Sequence, residues 1–317
     1  MPAAVTVPDQ ILPHLFHLST IEFFGIMWYN VDIVRKEGYN MPLPLKGLAL
    51  LTDLDGTLLT PEKTLLPADA AAIAAFREQG GLFSIATGRG MQATEAYLNL
   101  FQPDFPAVMY NGALLYDYRK HQTAAAFRLP AETENILREL MHAFPEVGAE
   151  VLREDGVFVI QDSPIERRHL EITNVPVVLK SLDEIPPVSC LKALFAGEEQ
   201  DIARMQEYVR APRFSAVNFT RSHRWFLEIL PKDAGKGAAL RQIRQMLPAH
   251  TVIGATGDFD NDITMLREAD FCGCPADSHA SVLQTVSETD GFLSAKTCKN
   301  GFFSEWIEEF IRHYLKS

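Results

Sequence analysis

Asp53 and Asp55 stand two positions apart in Leu51-Thr-Asp-Leu-Asp-Gly-Thr-Leu58, at the end of an apolar run and just before a Gly-Thr break. Side chains alternate along a strand, so a pair at this spacing leaves from one face and can serve one bound ion or one phosphate. Three further clusters follow in order: Thr87-Gly88-Arg89, Lys236-Gly237, and Gly257-Asp258-Phe-Asp-Asn261-Asp262. Their chemistries are complementary. Asp53, Asp55 and Asp258 are oxygen ligands of the kind a hard divalent cation such as Mg²⁺ takes. A hydroxyl, backbone N–H groups and a lysine supply donors and positive charge for phosphate oxygens. Together they have the composition of a phosphoryl-transfer site.

Each cluster also has a plainer reading. An Asp at a strand end is often a turn or cap residue, and Thr87-Gly88 an ordinary strand-to-helix turn. Asp258 to Asp262 can simply cap the helix carrying Met265 and Leu266. A single Lys236 is usually solvated. What sets these readings aside is that all four occur together, in order, each at the end of an apolar run.

The elements that must position them read as a parallel sheet. Leu48–Leu51 is a buried strand, Pro67–Gln79 a helix opened by Pro and stopped by Gly80-Gly81, and Leu82–Ala86 a second strand. A helix over Met91–Leu100 and a strand over Ala107–Tyr110 complete the alternation, the signature of a doubly wound α/β sheet. Ligands of such sheets lie at the carboxyl ends of the strands, which is where all four clusters fall. The pattern changes over 113–226, where short strands dominate. Hairpins are expected at Leu114–Tyr118 with Ala124–Leu129 and at Ala149–Arg153 with Val157–Gln161, and helices at Ala131–Ala143 and Glu198–Val209. This stretch reads as an inserted α+β domain between core segments 46–112 and 227–317. The core resumes with a helix over Lys236–Met246, a strand over Val252–Thr256, a helix over Asp260–Glu268 and a C-terminal helix over Phe303–Tyr314.

Composition narrows the function. With 317 residues, 47% hydrophobic and 22% charged, the chain suits two globular domains. A net charge of −12 argues against nucleic acid, which demands a basic stripe, yet it is compatible with a small phosphorylated metabolite. No stretch approaches the ~20 apolar residues of a membrane span, and no basic-then-apolar leader opens the chain. Cys190, Cys272, Cys274 and Cys298 lack zinc-type spacing and read as small buried hydrophobes of a reducing, cytoplasmic protein. Residues 1–45 contain the aromatic run Ile21–Val31. They read either as a docking helix or dimer contact, or as an extension preceding a true start at Met41. Oligomeric state is left open.

Asp53-x-Asp55-Gly56-Thr57, Ala86-Thr87-Gly88-Arg89, Lys236-Gly237 and Gly257-Asp258-x-x-Asn261-Asp262 resemble the four motifs of the haloacid dehalogenase superfamily. Asn111-Gly112-Ala113 and the large insertion resemble its Cof-like branch with a type IIB cap. The likeness spans about residues 46–316, and Cys274-Pro-Ala-Asp277 departs from it beside the fourth motif. The resemblance implies that Asp53 is the nucleophile forming an aspartyl-phosphate, and that Asp55 is the acid and base. It implies Mg²⁺ held by the Asp53 carboxylate, the Asp55 backbone carbonyl and Asp258. Thr87, Gly88, Lys236 and Asn261 would hold the phosphate, with Arg89 and Asn111 against substrate. An acid at position 55, where ion-pumping members carry Thr, favours rapid turnover. The expected activity is a magnesium-dependent phosphatase of small phosphomonoesters, sugar phosphates first. A phosphohexomutase or a phosphosugar-binding regulator without turnover are the alternatives. Arg153, Asp155, Arg167, Arg168, His169, Arg221, His223 and Arg224 of the insertion are candidates for leaving-group contacts.

Overall fold

The computed structural model describes residues 44–173 and 176–316; the expectations for residues 1–43 lie outside them. Leu48–Thr52 (β1) is buried at every position, as expected of a central strand of a parallel sheet. It is flanked by Leu82–Ile85 (β2) on one side and Val252–Thr256 (β12) on the other. Phe271–Cys274 (β13) and Phe292–Leu293 (β14) extend the sheet beyond β12, all pairs parallel. The register sets Thr52 against Thr256, so Asp53 and Gly257-Asp258 leave adjacent strand ends side by side.

Helices cover this sheet. Pro67–Glu78 (α1) and Met91–Phe101 (α2) flank β2, and Lys236–Met246 (α6), Ile263–Glu268 (α7) and Ala280–Glu288 (α8) surround β12 and β13. Phe302–Lys316 (α9) stacks its Trp306 on Phe310, ring planes 2° apart, within the same core as β1 and β2. One core cluster lies around Leu48, Leu50 and Phe83, and the other around Ala49, Leu51 and Ile253. Alternate residues of β1 thus feed opposite faces.

Ala107–Met109 (β3) touches the sheet through a single parallel bridge, Ala86 with Val108. The hairpin of Leu114–Asp117 (β4) and Gln122–Ala126 (β5), expected in the insertion, pairs instead with β3. Both expectations use the same alternating pattern, and the tight turn that pairs Met109 with Leu114 decides between them.

The inserted sheet has order β10-β11-β9-β6-β7-β8. Its strands are Gly148–Arg153 (β6), Gly156–Gln161 (β7), Val177–Leu179 (β8), Lys192–Ala196 (β9), Val217–His223 (β10) and Phe226–Pro231 (β11). The last strand therefore ends at Pro231, five residues beyond the expected boundary. One face of this sheet holds Val151, Ala193, Phe195, Leu227 and Ile229. These pack on Thr133–Ala143 (α3) and Glu199–Tyr208 (α5). The other face carries the alternate residues Glu150, Leu152, Lys192, Leu194 and Glu228, and Pro164–Thr173 (α4) lies along part of it.

On α4, Glu166 is fully buried, and its carboxyl is hydrogen-bonded to that of Glu150 on β6. Burial first, then the charge of Glu150, pushes its acid up to about 10. The folded chain therefore keeps a proton that the unfolded chain releases near pH 4.5, so stability falls as pH rises from there toward 10. The slope from this one group reaches about 1.4 kcal/mol per pH unit. Denaturant titrations between pH 5 and 9 should show a steeper loss of stability in the wild type than in Glu166→Gln. Parallel curves would show that this carboxyl does not hold its proton.

Candidate active site

Three of the four sequence clusters meet around one ammonium group. Lys236 opens α6, is 0% exposed, and donates from Nζ to Asp53 Oδ1 and Asp262 Oδ1, each at 2.6 Å. Burial alone would discharge this lysine, but Asp262 and Asp53 outweigh it and hold the ammonium far above its ordinary range. Asp53, Asp258 and Asp262 offer ligand oxygens all within 4.8 Å of one another. Asp258 sits at the end of β12, where Thr57 Oγ1 donates to its Oδ1 at 2.8 Å. Asp262 is more fully occupied: its Oδ2 accepts the backbone N–H groups of Asp258 and Phe259. It shapes the 258–262 turn as well as answering Lys236, a role the local pattern did not assign it.

Burial raises Asp53 to about 7, against the pull of Lys236 and with Asp262 and Asp55 adding to the rise. Burial and the charge of Asp53 likewise push Asp258 well up. One ammonium does not balance three clustered carboxyls, so the donor set fits a hard cation, whose arrival would let all of them ionise. Gly56 adopts φ +84°, and a Cβ there would meet Asp258 Oδ2 at 2.5 Å, so the turn after Asp55 must be glycine to lie against the cluster.

Asp55 points elsewhere. Arg89 Nε and Nη2 grip its two oxygens at 2.6 Å each, and Lys63 Nζ adds a third contact at 2.6 Å. Burial opposes its ionisation, but Arg89 and then Lys63 prevail and hold the carboxyl down at about 2. Arg89, expected against substrate, is thus the partner of Asp55, although both line the cavity. Thr87, Gly88 and Asn261 also line it; Lys236 and Asn111 do not.

Asn111 lies one layer behind and joins three loops. Its own N–H donates to Thr87 O at 3.0 Å, its Oδ1 accepts from Asn261 Nδ2 at 2.9 Å, and its Nδ2 donates to Glu228 Oε2. Tyr110 and Asn111 have φ +50° and +54°, and Gly112 continues at +96°. The left-handed run brings the chain so close to Gly235 that a Cβ on residue 112 would meet its carbonyl at 2.3 Å. Lys236 is held in place by that approach.

The insertion reaches the same loops through two residues the sequence reading overlooked. Lys192 on β9 and Glu228 on β11 are 3% and 2% exposed and pair at 3.1 Å. Lys192 also donates to Gly88 O at 2.7 Å, and Glu228 accepts from Asn111 and Ser222. Each is a lone charge on the inward register of an apolar strand, a signal that alternation alone offers. Of the eight insertion candidates, Arg168, His169 and His223 line the cavity. Arg153 and Arg167 are instead turned to Asp155 and Asp162 on the surface. Breaking a buried pair strands a charge, at a cost of about 3–5 kcal/mol. Lys192→Met and Glu228→Gln should each show that loss in denaturant unfolding. The double variant should recover to within about 2 kcal/mol of wild type, and additive losses would mean that the two charges do not answer each other.

A family model described as haloacid dehalogenase-like hydrolase matches residues 50–293. The HMP-PP phosphatase of Serratia proteamaculans is 28% identical over 219 residues, 68% of this chain and 78% of that protein. The Bacillus subtilis protein named 5-amino-6-(5-phospho-D-ribitylamino)uracil phosphatase YitU is 27% identical over 241 residues, 72% and 85% of the two chains. Among solved structures, the HAD subclass IIB sugar phosphatase BT4131 superposes with a TM-score of 0.70 at 18% identity. That match covers 84% of this chain and 98% of the other. The parallel sheet, its inserted second sheet and the acidic cluster at the strand ends accord with the match, and the chain belongs to the haloacid dehalogenase-like hydrolase family.

Proposed function

We propose that this chain is a magnesium-dependent phosphatase of small phosphomonoesters, working through an aspartyl-phosphate on Asp53. The observation that supports it most is the Asp53–Lys236–Asp262 arrangement beside Asp258 at the ends of β1 and β12. Asp53 and Asp258, with the Asp55 backbone carbonyl, would hold the ion. When bound, Mg²⁺ supplies positive charge that offsets phosphate repulsion and orients the phosphoryl oxygens.

The residues do the rest. Two like charges 4 Å apart repel by about 4 kcal/mol at an effective dielectric of ~20, a rate penalty of roughly a thousandfold. Lys236, fixed against the attacking carboxylate, removes part of that repulsion. Thr87, the Gly88 loop and Asn261 stand on the cavity wall where the phosphate oxygens would lie. The ester bond to phosphorus breaks as Asp53 Oδ attacks. The departing oxygen takes a proton from Asp55, and Asp55 then takes one from the water that cleaves the acyl phosphate.

Asp55 must exchange states to do both. Held at about 2 by Arg89 and Lys63, it stands ready as the base of the second half-reaction. To act as the acid first, it must loosen from Arg89, whose guanidinium can turn to the incoming phosphate. Among relatives, the names HMP-PP phosphatase and ribitylaminouracil phosphatase point to heterocyclic esters, and BT4131 to sugars. Sugar phosphates remain the first expectation from sequence, with a cytoplasmic setting. Among the described residues no helix is long and apolar enough to cross a membrane.

Two measurements test the reading. A panel of phosphate esters should release inorganic phosphate with Mg²⁺ and not after chelation, and Asp53→Asn should lose at least about 99% of that activity. An Asp53→Asn protein that keeps most of it removes Asp53 as nucleophile. Product isomerisation without phosphate release would favour the mutase, and binding without turnover the regulator. Separately, Arg89→Ala takes away the charge that depresses Asp55, so its acid rises from about 2 toward 3.8. The acidic limb of the kcat/KM profile, which reports the free enzyme, should move to higher pH by up to about two units; an unmoved limb would remove Asp55 as the group that titrates there.

A further inference from the structure

Beyond the phosphate loops the cavity continues, to a total of about 590 Å³, into space enclosed by the inserted sheet and α4. Rings build its far wall. His169 lies 4.6 Å from Phe226, and His223 lies 5.1 Å from Trp225 and 5.4 Å from Phe226, centroid to centroid. Burial and the neighbouring Arg224 keep the acid form of His223 disfavoured. Arg168 is stacked over Trp225 at 5.3 Å.

Glu150 of β6 belongs to the same wall and is anomalous there. It is 2% exposed, and its carboxyl is hydrogen-bonded only by Glu166, an acid that holds its proton. Its Oε1 has His169 Nε2 at 3.7 Å, beyond hydrogen-bond reach. The nearest lysine on this face, Lys192, is already paired with Glu228 and the Gly88 carbonyl. Glu166, adjacent on α4, offers a proton but no positive charge. A buried carboxylate without a cationic partner is costly. Here it lies on a cavity wall, beside aromatic edges, where an entering molecule can supply the donor.

We propose that Glu150 is the recognition residue of a leaving-group subsite for a planar nitrogen-bearing ring that carries an amino substituent as donor. The aromatic edges take the faces and rim of such a ring. The carboxylate takes its N–H groups through charge-assisted hydrogen bonds, the strongest class available to it. A neutral sugar of similar size fits the volume but leaves the acid unanswered. That this ring is the leaving group of a phosphoester rests on the phosphatase reading; that the subsite binds it does not.

The experiment uses two alcohols that differ only in one substituent, pyridoxamine with an aminomethyl group and pyridoxine with a hydroxymethyl group. Calorimetric titration of the full chain should show pyridoxamine bound at least about tenfold more tightly, the scale of one charge-assisted hydrogen bond. Glu150→Gln should abolish the preference, and Glu150→Asp, with its carboxylate drawn back by one methylene, should lose most of it. Glu166→Gln should keep it. Equal affinities in the wild type overturn the proposal, as does a preference that survives in whichever Glu150 variant folds. The 5′-phosphates of the same pair are then assayed for phosphate release with Mg²⁺. No hydrolysis of either, with the binding preference intact, would count against the phosphatase reading and leave the subsite standing. Hydrolysis of both at equal kcat/KM, with equal binding, would do the reverse.

Discussion

A fully buried ammonium in contact with two carboxylates is the constraint on which this site depends. Lys236 sits in the first turn of α6, where the helix dipole repels a cation, and in a place with no access to water. Neither position is tenable for a lone lysine. It is held there because Asp53 and Asp262 converge on Nζ from β1 and from the turn after β12. The parallel pairing of Thr52 with Thr256 fixes how far apart those two acids can be. Gly112 against Gly235 fixes where the lysine's backbone runs. Move any one of these, and a charge is left buried without its partner.

The inserted sheet obeys the same rule from the other side. Its outer face packs apolar residues on α3 and α5, as any half-covered sheet does. Its inner face has no apolar layer to join along its whole length, since it closes over the polar strand ends of the core. Charged residues are therefore tolerated there in pairs, and Lys192 with Glu228 is the pair that also reaches the core, through Gly88 and Asn111. The contact ties the position of the inserted sheet to the two loops expected to hold phosphate. Tyr110 adds a second tie, its hydroxyl donating to Arg153 O and accepting from Met91 N–H.

Much of the core was legible in the sequence because its signals are local. An apolar run ending in Asp-x-Asp-Gly, a proline-opened helix and a lysine after glycine each specify an element and a boundary; α6 and β12 fall on the expected residues. The convergence of Asp53, Lys236 and Asp258 followed from strand order alone. What was not legible depends on register between distant strands. Glu150, Lys192 and Glu228 are each one charge within an apolar stretch, and nothing nearby tells a solvated edge from a cavity wall. The pairing of β4 with β3 was hidden differently, in the left-handed turn through Tyr110, Asn111 and Gly112 that joins them. Arginines at 153, 167 and 221 drew notice because they are conspicuous, yet long charged side chains reach water readily, and these are not on the cavity wall.

The two ends of the cavity also differ in the charge they leave unbalanced. At the core end, three clustered carboxyls face one ammonium, and a bound divalent cation would cancel that deficit and with it the net repulsion of phosphate. At the far end, Lys192 is spent on Glu228, Glu166 is hydrogen-bonded to Glu150, and Arg168 lies over Trp225 on the same wall. A ligand with phosphate at one end and an amine at the other would enter with phosphate toward Asp53, because the reverse sets its amine against the bound cation and its phosphate against the Glu150 carboxyl. Such discrimination relies on repulsion as much as on attraction. It needs no exact fit of the intervening ring, so a cavity wider than a phosphate can still deliver the ester bond to the same carboxylate.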